Sequence, residues 1–210
     1  VTVIASGTGG GAGIGGGSDH RGCVLSIQNG KVTATGGADG GSGIGGGSGK
    51  VASIKTGGRG VTISGGTVNA TGGEGAAGIG SGANSDYGKG SYVTITDGTV
   101  TANGGAGAAG IGDGANNVAD AGSVISITGG TVKANGGAGE AAGIGNGEND
   151  ARDAAVSISA TNAALDVTAV TQGSGEAISG GDDLTMAKLD NLFSGVVRFF
   201  RSTNHYNTEH

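Results

Sequence analysis

A chain of 210 residues with 53 glycines and no proline is not collagen, which needs proline and a glycine at every third position. With 35% apolar residues and a net charge of −6, it does not have the composition of a disordered chain either. Three tyrosines, three phenylalanines and no tryptophan leave no material for a conventional aromatic core. The acidic balance argues against nucleic acid, which calls for a basic stripe. No run of about eighteen apolar residues is present to span a membrane. Cys23 is the only cysteine, so there is no internal disulfide framework. The chain opens at Val1 without a methionine or a hydrophobic signal region, and reads as a processed protein or an excised fragment.

From the amino end the sequence enters at once on an alternating pair, Val3-x-Ala5, and then reaches a glycine-flanked Ile14. A second pair, Leu25-x-Ile27, precedes a return of the first pattern at Val32/Ala34 and of the isoleucine at Ile44. The next round gives Val61/Ile63, Val68/Ala70 and Ile79, and the one after it Val93/Ile95, Val100/Ala102 and Ile111. Ile125/Ile127, Val132/Ala134 and Ile144 follow, then Val156/Ile158, Val167/Ala169 and a degenerate copy at Ile178. Successive isoleucines lie 30, 35, 32, 33 and 34 residues apart.

Each pair alternates with period two, the mark of a strand with one buried face. Glycine pairs such as Gly65-Gly66 and Gly129-Gly130 permit positive φ at corners. Short strands stacked in register at a fixed period predict an all-β fold, a single-stranded β-solenoid (β-helix) of about six coils with three short strands per coil. The missing proline fits this, because each interior coil must donate its amides to the next.

Two irregular segments interrupt the period: Lys50 to Gly60, with a strand-like Val51-Ala52-Ser53-Ile54, and an insertion around Ala160 to Ala164. Glu176 takes the inward place held by Ala12, Ser42, Ala77, Ala109 and Ala142. A buried carboxylate is costly, so the regular array is expected to end there. The predicted division is a solenoid domain over 1–181 and a C-terminal cap or subunit-docking segment over 182–210. In that segment Asp182-Asp183 opens a short capped helix through Leu184 and Phe193, and Val196 to Phe200 reads as a strand or apolar plug. The other end has no cap before Val1, and an open coil edge offers unpaired amides to another chain. Val1 and Val3 at one end, with Val196, Val197, Phe199 and Phe200 at the other, are therefore the candidate self-association residues.

The units Gly65-Gly66-Thr67-Val68-Asn69-Ala70-Thr71-Gly72-Gly73 and Ala77-Gly78-Ile79-Gly80 resemble the "GGTVTATGG…GAGIGGG" repeat of large secreted or wall-attached surface proteins, mostly of gut Gram-positive bacteria. The resemblance covers residues 1 to about 180 and implies an extracellular β-helix. A related right-handed β-helix group is described as calcium- and polysaccharide-binding. It carries acidic residues after its turn glycines, where this chain mostly has alanine.

The chemistry-bearing residues are sparse. Gly11 to Gly16 and Gly41 to Gly46 satisfy GxGxxG, but no helix follows either and the stretch recurs in every coil as structure. The histidine- and lysine-bearing motifs of pectin-degrading β-helices are missing. His20, His205 and His210 lie near the chain ends, so no acid and base are paired and the chain is read as non-catalytic. Acidic loops follow the isoleucine turns, and Asp86, Asp113, Asp120 and Asp150 are the candidate calcium ligands, calcium wanting six to eight oxygens. No other cofactor is implied.

Tyr87 and Tyr92 are candidate sugar-stacking residues. Thr62/Ser64, Thr94/Thr96 and Ser126/Thr128 form an outward hydroxyl ladder, continued by Ser157/Ser159, of the kind some antifreeze solenoids use, although β-propensity alone favours threonine there. The leading expectation is a structural β-solenoid on a microbial surface, a stalk, fibre or filament subunit that associates with itself. The alternative is a polysaccharide-binding adhesin, and the third reading is ice binding.

Overall fold

The structure is a computed structural model that describes residues 1–22, 24–49, 60–85, 91–118, 122–151, 153–159, 165–179 and 195–201. All secondary structure among these residues is β, and the strands, numbered in chain order, stack in three parallel ladders.

The Val-x-Ala pairs form the longest ladder. It runs β1 (Thr2–Ser6), β4 (Lys31–Thr35), β6 (Gly60–Thr71), β8 (Tyr92–Asn103), β11 (Gly130–Asn135), β14 (Leu165–Thr171) and β15 (Gly195–Arg201). Pairing is in register throughout: Val3 on Val32, Val32 on Val68, Val68 on Val100, Val100 on Val132 and Val132 on Val167. The alanine two residues later stacks likewise, because one face of each strand is buried and a slip of one residue would turn every valine outward.

The apolar-x-isoleucine pairs make a second ladder. Here β3 (Leu25–Ile27) pairs with β6, β6 with β8, β8 with β10 (Val124–Ile127) and β10 with β13 (Ala155–Ile158). The two-residue strands β2 (Ile14–Gly15), β5 (Ile44–Gly45), β7 (Ile79–Gly80), β9 (Ile111–Gly112) and β12 (Ile144–Gly145) form the third. The chain is thus a parallel β-solenoid. In β6 and β8 the first two pairs are not separate strands: twelve residues run continuously through the corner. Gly66 and Gly98 make that bend at φ of 82° and 102°, which a residue with a Cβ resists.

The interior is a narrow column of isoleucine, valine and alanine. Ile44, Ile63, Ile79, Ile95, Ile111, Ile127 and Ile144 are fully buried, and the largest fully buried side chains are all isoleucine or valine. The glycine after each ladder isoleucine lets successive coils approach. Gly112 sits at φ 135°, and a methyl group on it would run into the Gly145 carbonyl oxygen one coil on.

The array does not stop at Glu176. Ile178 bridges to Ile144 in parallel, and the Ile144 amide donates to the Ala177 carbonyl at 3.0 Å. Glu176 itself is exposed. Its carboxylate stays in water, which avoids the desolvation that an inward position would impose. Beyond it, β15 adds a strand to the first ladder, Val197 on Val167 and Phe199 on Ala169. The insertion strand Val51–Ile54, the insertion around Ala160 to Ala164 and the helix expected from Leu184 to Phe193 lie outside the described residues.

Candidate functional site

The polar groups of the described solenoid gather where the chain leaves the third ladder and returns to the second. Five positions on from Ile14, Ile79, Ile111 and Ile144 stand Asp19, Asn84, Asn116 and Asn149, each left-handed at φ of 62°, 54°, 56° and 54°. Asparagine and aspartate tolerate that conformation better than other residues with a Cβ, and the second coil has Gly49 there at φ 123°. These asparagines hold the backbone turn. The signal for them is a column in which only Asp, Asn and Gly occur.

Behind that turn lies a polar network in the coil wall. Two positions after the ladder isoleucine the successive coils carry Gly46, Ser81, Asp113 and Asn146. The Ser123 amide donates to Asp113 Oδ2 at 2.8 Å and its hydroxyl to Oδ1 at 2.6 Å. Ser81 Oγ donates to Asp113 Oδ1 at 3.3 Å and receives Asn117 Nδ2 at 2.8 Å and the Gly114 amide at 3.0 Å. Asn117 Oδ1 accepts the Ser85 amide at 2.9 Å, and Ser123 Oγ accepts the Ser91 amide at 3.0 Å. One coil on, Asn146 Oδ1 accepts the Ala154 amide at 2.7 Å. These side chains thus accept the backbone amides of Ser85, Ser91, Gly114, Ser123 and Ala154, within one coil and between neighbouring coils.

Asp113 is only 2% exposed. Burial raises its carboxyl above the ordinary carboxylate range, opposed by the hydrogen bonds from Ser123 and Ser81 and one with Asp150. Of the four calcium candidates, the structure therefore brings Asp113 and Asp150 together and gives the Asp113 oxygens protein donors. Asp86 and Asp120 lie outside the described residues, as does Tyr87. Among the described residues no group of three or more His, Cys, Asp or Glu could hold a metal ion.

The hydroxyl ladder holds register on one rung. Ser26, Thr62, Thr94, Ser126 and Ser157 stack in line on the outer face of the second ladder. On the next rung, Thr128 and Ser159 keep the stacked backbone bonds, Thr128 to Ile95 and Ser159 to Ile127. Ser64 instead pairs with Asp97 in place of Thr96, because the strand shifts register as it enters the corner. Tyr92 opens β8 on the outer face, with Val124 on one side and Gly60 on the other.

At the amino end, β1 pairs only with β4 among the described residues. Val1 is fully exposed, Val3 is 39% exposed and Ile4 77%. Val196, Val197, Phe199 and Phe200 lie in β15, the outermost strand of the first ladder at the other end.

The family described as Beta helix repeat matches residues 25–48, 61–83, 93–115 and 125–148. Each matched stretch runs from the apolar-x-isoleucine strand through the Val-x-Ala strand to the isoleucine turn, so the repeat found by family comparison and the coil of the structure share one period. No curated protein and no solved structure gives a significant match. The class defined by fold and repeat together is the parallel β-helix. No helix among the described residues is long and apolar enough to cross a membrane.

Proposed function

We propose that the protein is a structural, extracellular β-solenoid: a stalk, fibre or filament subunit of about six three-stranded coils that associates with itself end to end. The observation that carries this reading is the first ladder, seven strands in unbroken parallel order with the repeat residues in register. An in-register edge is a template for further pairing. Val3 at that edge occupies the same position in the repeat as Val32, Val68, Val100 and Val132, so a docked coil would extend the same column. The tail from 182 on serves as the opposite face, capping its own last coil or receiving the next subunit. The same reading takes the chain as a non-enzymatic scaffold. Electron microscopy of the purified chain tests the proposal: fibres or end-to-end oligomers support it, and dispersed monomers at all concentrations refute it.

A second reading, polysaccharide binding at the cell surface, draws on Tyr92, which stands on the outer sheet face beside Thr62 and Thr94. An aromatic ring next to hydroxyls suits the apolar face and rim of a sugar. A glycan array separates the two readings, because a scaffold that only self-associates retains no glycan.

A further inference from the structure

Four asparagines are followed directly by glycine: Asn29, Asn103, Asn135 and Asn146. Asparagine is a chemically labile residue, and beside glycine no side chain shields the next backbone nitrogen from its Cγ. The solenoid holds three of the four pairs in place. The Gly104 amide donates to the Asn135 carbonyl at 2.9 Å, and the Gly136 amide to the Val170 carbonyl at 2.7 Å. Asn135 Nδ2 donates to Asn103 Oδ1 at 2.7 Å, so these two side chains hold each other across neighbouring coils. Asn146 accepts the Ala154 amide on Oδ1 and donates from Nδ2 to Asp153.

Asn29 is different. It lies at the corner between β3 and β4 and is exposed. Neither its side chain nor the Gly30 amide enters a hydrogen bond among the described residues. Gly30 is tied into the stack through its carbonyl, which accepts the Thr67 amide at 2.8 Å. The same corner recurs one coil after another at Gly65-Gly66, Asp97-Gly98 and Gly129-Gly130. The second glycine stands there at φ of 82°, 102° and 88°, against 91° for Gly30. Asp97 shows what a side chain does at this corner: its Oδ1 accepts the Gly98 amide at 2.7 Å. The carboxyl is folded back over the following nitrogen. An asparagine in that pose has its Cγ beside the atom that attacks it.

We propose that Asn29 is a site of spontaneous deamidation, where the folded chain turns a neutral corner amide into a carboxylate. The Gly30 nitrogen gives up its proton to hydroxide and bonds to Asn29 Cγ. The Cγ–Nδ2 bond breaks, and ammonia leaves after taking a proton from water. Water then opens the cyclic imide. Opening at Cγ leaves aspartate, and opening at the backbone carbonyl leaves isoaspartate. Nothing is oxidised or reduced, and each event makes the net charge more negative by one. The aspartate product stands where Asp97 already stands in a later coil, so the fold accommodates it. Isoaspartate instead adds a backbone atom to the corner between β3 and β4.

Incubation of the whole folded chain at mildly alkaline pH, followed by peptide mapping with mass spectrometry, tests this. The expected result is conversion at Asn29 about tenfold faster than at Asn103, Asn135 or Asn146, whose bonds in the coils deny the attack geometry. The rate at Asn29 should climb with pH, because the attacking nitrogen must first lose its proton. The same incubation in denaturant should bring all four pairs to similar rates, which separates selection by the fold from selection by the sequence. Asn29→Gln keeps an exposed amide at the corner but must close a larger ring. It should abolish the conversion in that peptide and leave the other three pairs as they were, with unchanged circular dichroism. Equal rates at the four pairs in the folded chain, faster conversion at any of the other three, or an inert Asn29 in a chain that reacts once unfolded would overturn the proposal.

Discussion

Ser123 gives both its backbone amide and its hydroxyl to one carboxylate, that of Asp113, at 2.8 and 2.6 Å. The two residues are ten positions apart, and the bonds pin the loop between them to the coil wall. One coil on, Asn146 accepts the Ala154 amide on its single oxygen and donates from Nδ2 to Asp153, so a neutral amide stands where Asp113 accepts on both oxygens.

That comparison yields a prediction with a definite sign. Burial raises the Asp113 carboxyl, so the folded state favours the protonated form more than the unfolded state does. The stabilisation is complete below the ordinary carboxylate pKa and is lost as pH rises through the folded value. Asp113→Asn should therefore melt at a higher temperature than the unmodified chain at pH 7, and the gap should close towards pH 4. Thermal melts across that range check it. A variant less stable at pH 7 would show that the ionised carboxylate is worth more to the loop than its burial costs.

The left-handed asparagine turn gives a second. Asn116 stands at φ 56°, and its Oδ1 accepts from Asn149 Nδ2 at 3.1 Å on the exposed side. Asn116→Ala should cost about 1 kcal/mol, the penalty for a Cβ in left-handed backbone without a local polar side chain. Asn116→Gly should be close to neutral, as Gly49 already fills this place in the second coil. Chemical denaturation of the two variants measures the difference. Equal losses from both would assign the cost to the side-chain bond instead.

The narrow core gives a third. Ile111 is fully buried and stacks between Ile79 and Ile144. Ile111→Ala should lower stability by about 2–5 kcal/mol, since coils fixed by backbone ladders on both sides cannot close over the cavity. Denaturant midpoints at constant slope would measure this, and a loss well under 1 kcal/mol would mean that the coils collapse inward.

The period and the register were legible because the valine, alanine and isoleucine columns use one residue type each and alternate strictly. Val68, Val100 and Val132 are identical in chemistry and identical in place. The turn column was harder to see, because Asp19 and Gly49 interrupt the asparagines at 84, 116 and 149 and all five share only a positive φ. The loop pegs were harder still. Gly46, Ser81, Asp113 and Asn146 occupy one position, yet their partners are set by loops of differing length, so Asp113 looks in sequence like a surface calcium ligand and is found buried against serines. Glu176 misled for a related reason: its place in the repeat is an inward one, but the side chain is exposed while Ile178 continues the ladder past it.

Sedimentation velocity over a wide concentration range, on the unmodified chain and on Val3→Lys, tests the central proposal most directly. A lysine at Val3 can reach water while that coil edge is open, but it would be trapped in the core if another coil stacked on it. End-to-end association predicts species that grow with concentration for the unmodified chain and a folded monomer throughout for Val3→Lys. A monomer in both, or oligomers that survive the lysine unchanged, would contradict it.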